Sequence, residues 1–116
     1  MPEHAAKHGL EIAVERHREV AIVRCRGRLV AGQTEHFYHE VKQLMPHHRQ
    51  IVLDFEHVTH MDSSGLGSLA RLYVSGKSAG CVLDLMNAGK SIRHLLGVTH
   101  MMSVFQTIGE NNIRMG

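Results

Sequence analysis

The N-terminal part of the chain alternates apolar and polar residues. Ile12 and Val14 follow this alternation, and it resumes over residues 20–26 after a polar break at residues 16–19. A period of two on both sides of a short polar connection predicts a β-hairpin. Gly27 is predicted to end its second strand.

From Gly32 onward the apolar residues instead recur every three or four positions, which predicts an amphipathic helix. Its buried face consists of Phe37, Val41, Leu44 and Met45. Pro46 has no backbone N–H and is predicted to terminate this helix. Residues 51–55 then form a short, almost continuously apolar run, which is typical of a buried parallel strand.

The second half of the chain continues to alternate helices with strands. A helix is predicted from Asp62 to the glycines at 76–80, with an apolar face of Leu66, Leu69, Ala70 and Tyr73. The remaining predicted elements are a strand at 81–86, a helix around Ile92, Leu95 and Leu96, a strand at 101–105 and a frayed terminal helix at 107–116.

The predicted order of elements, β-β-α-β-α-β-α-β, is that of an α/β fold. Strands that alternate with helices imply right-handed crossovers and a mixed, mainly parallel sheet, with the opening hairpin as an antiparallel pair at one edge. The length of 116 residues fits a single domain. We therefore expect a flexible N-terminal segment over residues 1–10 and one folded domain over residues 11–116.

Composition and charge narrow the possible functions. The chain is 43% hydrophobic and 21% charged, which is typical of a globular protein. The formal net charge is only +2 and no basic stripe is visible, so we expect no nucleic-acid partner. The longest uncharged stretches fall short of the roughly 18 apolar residues that a membrane-spanning helix requires. The N-terminus lacks the apolar core of a signal peptide, and we expect a cytoplasmic protein.

Neither the cysteines nor the histidines match a metal-binding pattern. Cys25 and Cys81 are far apart in the sequence, without a C-x-x-C pair, and are predicted to be two buried thiols. The eleven histidines are scattered, and His36 and His39 on the first predicted helix lack the spacing of a zinc site. We expect no metal and no other cofactor.

The least ordinary stretch of the sequence is V-T-H-M-D-S-S-G-L-G. Asp62 stands where a helix N-cap belongs, and its carboxylate can accept the free backbone N–H groups of the first turn. Ser63 and Ser64 would lie at the positive end of the helix dipole, which favours an added anion such as a phosphate. Gly65 and Gly67 would leave the surface beside these serines open to close approach by another protein.

Together with the apolar strand at residues 51–55, this stretch resembles the strand, loop and helix start of STAS domains, specifically those of bacterial anti-sigma-factor antagonists. The resemblance covers residues 11–105. Its most specific part is the series of an aspartate, two hydroxyl residues, a glycine, an apolar residue and a glycine. It implies a single STAS domain that acts as a binding module rather than an enzyme.

The resemblance also implies a phosphorylation switch in transcription regulation. In that family the serine directly after the aspartate is phosphorylated by an anti-sigma factor that is itself a serine kinase, and this serine is Ser63 here. The unphosphorylated antagonist binds the anti-sigma factor and frees a sigma factor, and a serine phosphatase reverses the modification. The ATP belongs to the partner. The implied partner-binding residues are Asp62, Ser63, Ser64, Gly65 and Gly67.

The two serines are expected to differ in orientation. Ser63 is predicted to point outward, whereas Ser64 lies about 100° further round the helix and is predicted to face the sheet or bond within the turn. The sequence also departs from the family at Arg28, where an acidic residue is frequent, and at Thr99-His100, where the pair Thr-Gly is usual. A STAS scaffold in a stress-signalling or lipid-transport assembly therefore remains an alternative.

A small dinucleotide-binding protein is a second alternative. Residues 65–70 match the pattern G-x-G-x-x-A, and Asp84 lies near the end of the next strand. That fingerprint needs its first glycine in the tight turn between a strand and a helix, but about seven residues separate Phe55 from Asp62 here. A serine hydrolase is also not favoured, because we expect no G-x-S-x-G nucleophile elbow in the sequence and nothing that positions an oxyanion hole.

Overall fold

The computed structural model describes residues 9–98 and 106–108. Within these residues it contains five strands and three α-helices in the predicted order. The strands are β1 (Leu10–His17), β2 (Val20–Leu29), β3 (Gln50–Met61), β4 (Val82–Met86) and β5 (Gln106–Ile108). The helices are α1 (Thr34–Lys42), α2 (Ser63–Ala79) and α3 (Lys90–Val98).

The five strands form one sheet in the order β1-β2-β3-β4-β5. β1 pairs with β2 in antiparallel orientation, and all other neighbouring strands are parallel. The predicted α/β fold, with a mixed, mainly parallel sheet and a hairpin at one edge, is therefore confirmed. Only Arg18 and Glu19 connect β1 to β2, and a connection this short can join only antiparallel strands.

Strands β2 and β3 are both longer than the hydrophobic pattern predicted. β2 continues past Gly27 to Leu29, and β3 continues past Phe55 to Met61. The two extensions pair with each other, as in the register partners Gly27 and Val58. The register shifts twice along this part of the ladder, which interrupts the alternation of inward and outward side chains. The pattern was therefore too irregular to predict a strand here.

Helix α1 buries the predicted face but ends earlier than predicted. All four residues of the predicted face are buried. Phe37 and Val41 lie on the helix, and Leu44 and Met45 follow it. The α-helix ends at Lys42. The chain continues in a tighter turn, in which the Leu44 N–H donates to the carbonyl of Val41, three residues earlier, at 3.0 Å. Pro46 lies within a 3₁₀ turn, Met45–His47, rather than at the end of the α-helix.

Helix α2 buries the predicted face only in part, since Leu69 is the one predicted residue that is fully buried. The buried residues are Gly65, Ser68, Leu69, Leu72 and Gly76, whereas the predicted Leu66, Ala70 and Tyr73 are only partly buried. Three of these five buried residues are small, so the helix approaches its neighbours closely. A Cβ atom on Gly76 would lie 2.6 Å from the Cys81 carbonyl oxygen. The Ser68 hydroxyl donates to the Gly65 carbonyl at 2.7 Å, which satisfies its buried polar group.

The two ends of the domain differ in part from the prediction. β1 begins at Leu10, whose fully buried side chain belongs to the core and not to a flexible segment. The predicted flexible segment stays a prediction for residues 1–8, which lie outside the described part of the chain. The strand predicted at 101–105 lies outside the described residues. Thr107 and Ile108 belong to β5, which pairs with β4, so a terminal helix from residue 107 is wrong at its start. Residues 109–116 lie outside the described part.

Candidate functional site

Asp62 is the N-cap of α2, as predicted, and its backbone is extended, with φ −110° and ψ −171°. One carboxylate oxygen, Oδ1, accepts a hydrogen bond from the Gly65 N–H at 3.0 Å. The other, Oδ2, accepts one from the Ala31 N–H at 3.0 Å. Ala31 lies in the loop between β2 and α1, so this side chain both caps the helix and fixes the loop beside it. The second bond was not predicted.

These hydrogen bonds also stabilise the ionised form of Asp62. The N–H group of Ala31 contributes most, followed by that of Gly65, and together they hold the pKa of the Asp62 carboxyl below its ordinary value. Both bonds favour the ionised form because an N–H donor interacts more strongly with a carboxylate than with a neutral acid. Asp62 is therefore a negative charge at neutral pH, immediately before Ser63.

Gly65 lies inside the fold and not on an open surface, contrary to the expectation from the sequence. It is buried, and a Cβ atom at this position would clash with the Leu29 carbonyl oxygen and lie 2.7 Å from Cγ of Met61. Glycine is required because the first turn of α2 packs directly on the ends of β2 and β3. Gly65 thus supports the first turn of α2 from inside the fold. Because it is buried, a partner protein cannot contact it directly.

Gly67 does lie on an open surface. It is exposed, and a Cβ atom there would meet no heavy atom within 4 Å. The two glycines of the motif therefore have different roles. Gly65 is needed for packing, and Gly67 leaves open space at the surface of the domain.

Ser63 and Ser64 are both exposed in the first turn of α2. The outward position of Ser63 agrees with the prediction. The prediction that Ser64 faces the sheet is wrong, because Gly65 occupies the inward position of this turn. Both hydroxyls are therefore open to a modifying enzyme, and burial alone does not distinguish them.

The features that suggested a dinucleotide site do not form one. Gly65 and Gly67 are the third and fifth residues of α2 and not part of a turn between strand and helix. The residues between Phe55 and Asp62 belong to β3, which corrects the predicted loop. Asp84 has no exposed surface, and its carboxylate accepts a hydrogen bond from the Gln50 side chain at 2.5 Å, so it does not face a ribose.

One motif was overlooked in the sequence. Residues 76–80 match G-x-S-x-G, the pattern of a hydrolase nucleophile elbow. They lie at the C-terminal end of α2, where Gly80 caps the helix in the left-handed conformation with φ 74°. A nucleophile elbow requires a turn from a strand into a helix, so Ser78 does not occupy one.

The cysteines are two buried free thiols, as predicted. Among residues 9–98 and 106–108, no cluster of three or more His, Cys, Asp or Glu side chains is arranged to hold a metal ion. No helix in the same part of the chain is long and apolar enough to cross a membrane. Arg28 is exposed at the end of β2, and its register partner on β3 is His60. Thr99 and His100 lie outside the described residues.

Comparison with known proteins agrees with this fold. The profile of the STAS domain family matches residues 11–111, and the chain belongs to this family. The fold is similar to that of an anti-sigma factor antagonist from Mycobacterium paratuberculosis, with a TM-score of 0.78 at 20% identity over 92% of each chain.

The fold is also similar to that of the anti-sigma factor antagonist SpoIIAA. Its unphosphorylated form gives a TM-score of 0.73 at 20% identity, over 85% of this chain and 89% of the other. The phosphorylated form of SpoIIAA from Bacillus gives a TM-score of 0.69 at 20% identity, over 85% of this chain and 92% of the other. The protein is thus a STAS domain that resembles anti-sigma factor antagonists in fold.

Proposed function

We propose that the protein is an anti-sigma-factor antagonist that switches partners through phosphorylation of Ser63. In its unphosphorylated form it binds an anti-sigma factor with serine kinase activity, and a sigma factor is released. Phosphorylation of Ser63 by that partner ends the complex, and a serine phosphatase restores the binding form. The contact surface consists of Asp62, Ser63, Ser64 and Gly67, with Gly65 holding the turn in place from beneath.

The position of Ser63 relative to Asp62 is the observation that supports this proposal most strongly. Both carboxylate oxygens of Asp62 are held toward the protein by the Ala31 and Gly65 N–H groups. The next residue, Ser63, is exposed as the first residue of α2. A kinase can therefore reach the Ser63 hydroxyl on a turn whose backbone is fixed on both sides.

The electrostatics of this turn support a switch that leaves the fold intact. A phosphate adds roughly −1.5 to −2 charges at neutral pH. At the start of a helix that charge faces the positive end of the dipole, so α2 tolerates it. A partner that covers Ser63 would instead have to remove a doubly charged group from water, which is costly. Phosphorylation thus weakens binding without unfolding the protein.

The proposal is tested by incubating the full chain with its cognate anti-sigma-factor kinase and ATP, followed by phosphopeptide mass spectrometry. We expect one phosphate, on Ser63. Ser64→Ala is the matched control and should be modified at the same rate as the wild type. Ser63→Ala should stay bound to the partner in the presence of ATP, and Ser63→Asp should bind weakly. A phosphate on Ser64 with Ser63 unmodified, or no phosphate at all, would refute the proposed switch.

A further inference from the structure

A group of basic side chains lies on β2 and β3 beside the site. Arg26 and His57 are register partners on the two strands, and Arg28 and His60 are register partners further along. All four residues are exposed. We term Arg26, Arg28, His57 and His60 the basic patch.

Few acidic groups neutralise the basic patch. Nε of Arg26 is 3.7 Å from a carboxylate oxygen of Glu11, and Nε2 of His57 is 4.0 Å from one of Glu56, all on exposed side chains. Exposed ion pairs at such distances are weak. Within residues 9–98 and 106–108, the Arg28 side chain has no ion pair. Arg26 and Arg28 therefore place two positive charges on this surface that no close ion pair neutralises.

The basic patch is continuous with the turn that carries Ser63. His60 precedes Ser63 by three residues, and Arg28 precedes Ala31 by three. The hydrogen bond from the Ala31 N–H to Asp62 joins these two segments, so the ends of β2 and β3 and the start of α2 form one surface. A partner that covers Ser63 would meet the Arg28 guanidinium and the rest of the basic patch at the border of the same interface.

A depression of about 290 Å³ lies at the other end of the basic patch. Arg24, Arg26 and His57 are among the residues that line it, together with Glu11. Arg24 is held in place by Glu15 at 2.7 Å and by the buried carboxylate of Asp54 at 2.8 Å. Because these two carboxylates already neutralise Arg24, Arg26 is the cation of the depression that remains available to an acidic side chain.

We propose that the basic patch docks an acidic segment of the partner protein that recognises Ser63. This rests on the proposed function and identifies the chemistry of the partner. Attraction between the acidic segment and Arg28 supports binding of the unphosphorylated form. A phosphate on Ser63 places negative charge beside that segment and competes with it for the same cations. One acidic region of the partner therefore accounts for both binding and release.

The test is a titration of the isotope-labelled, unphosphorylated full chain with a poly-glutamate peptide, followed by NMR. We expect the amide signals of the basic patch to shift most, and added salt to weaken binding. Arg28→Glu should raise the dissociation constant about tenfold. The matched control is Arg16→Glu, which makes the same charge change on exposed β1 near the opposite end of the sheet and should leave binding unchanged.

The proposal is overturned if the peptide shifts no signals, if the shifts centre elsewhere, or if Arg28→Glu binds as tightly as the wild type. Duplex DNA that binds the same residues more tightly than poly-glutamate would also overturn it, in favour of a nucleic-acid ligand. The titration needs no kinase. A lack of phosphate on Ser63 would refute the proposed function, and that result is obtained independently of the peptide measurement.

Discussion

The Asp62 carboxylate and the Ala31 backbone N–H are 3.0 Å apart, although the residues are separated by 31 positions in the sequence. The other carboxylate oxygen caps α2 through Gly65 at the same distance. A single side chain therefore fixes the loop after β2 and the start of the helix that carries Ser63. The position of the proposed phosphorylation site depends on Asp62 even though this residue is not itself modified.

Replacement of Asp62 should lower stability in a graded way. Asp62→Ala removes both acceptors and should lower the Tm by several degrees, because an N-cap and a bond to the loop are lost together. Asp62→Asn should have an intermediate Tm, since its one carbonyl oxygen can replace only one of the two acceptors. Thermal unfolding followed by circular dichroism measures both. An alanine variant as stable as the wild type would show that the two bonds contribute nothing.

The contribution of Asp62 should also depend on pH. Its pKa is lowered in the folded state, mainly by the Ala31 N–H and then by the Gly65 N–H. Such a group adds stability that is fully present above its unfolded pKa, about 3.9 for Asp, and is lost as the pH falls through its folded pKa. The difference in Tm between wild type and Asp62→Asn should therefore be constant near neutrality and shrink below about pH 4. A difference that grows on acidification would contradict this sign.

The two glycines of the motif should respond oppositely to alanine. Gly65→Ala places a Cβ atom against the Leu29 carbonyl and should destabilise the protein by more than about 1 kcal/mol, since backbone must move. Gly67→Ala meets no atom within 4 Å. It should stabilise the helix by about 0.5–1 kcal/mol, because alanine is the better helix former. Urea unfolding of the two variants tests this, and equal effects at both positions would contradict the packing described here.

A bulky side chain at Gly67 should separate folding from binding. Gly67→Phe points into open space, so the circular dichroism spectrum should hardly change, while binding of the anti-sigma-factor partner should be lost. Ser78→Phe, on an exposed position at the far end of α2, is the control and should retain binding. If Gly67→Phe binds normally, the partner does not approach this turn.

The two thiols should be unreactive in the folded protein. Burial raises the pKa of both Cys25 and Cys81, and Asp54 adds to the effect at Cys25. Since only the thiolate reacts, a thiol reagent at pH 8 should modify neither residue quickly, and Cys81 should react before Cys25. Peptide mass spectrometry over time measures the order, with the urea-unfolded protein as the fully reactive reference. Rapid modification of Cys25 in the folded state would contradict its burial.

Prediction from the sequence succeeded where the signal is local. The buried face of α1 and the N-cap Asp62 follow from spacing and side-chain chemistry within one or two helical turns. Prediction was incomplete for α2, whose buried face combines the predicted Leu69 with small residues that carry no periodic hydrophobic signal. It was wrong for Ser64, which is exposed because Gly65 takes the inward position of the turn. Gly65 is buried only because the ends of β2 and β3 lie directly beneath it.

The sequence by itself determined the order of elements, the α/β class, the helix start at Asp62 and the burial of both cysteines. Only the tertiary structure decided the length of β3, the bond between Asp62 and Ala31, and the placement of Arg28 opposite His60. Periodicity and capping act over a few residues and are therefore visible in the chain. Strand register and close helix packing depend on residues that are distant in sequence, and these meet only when the sheet has formed.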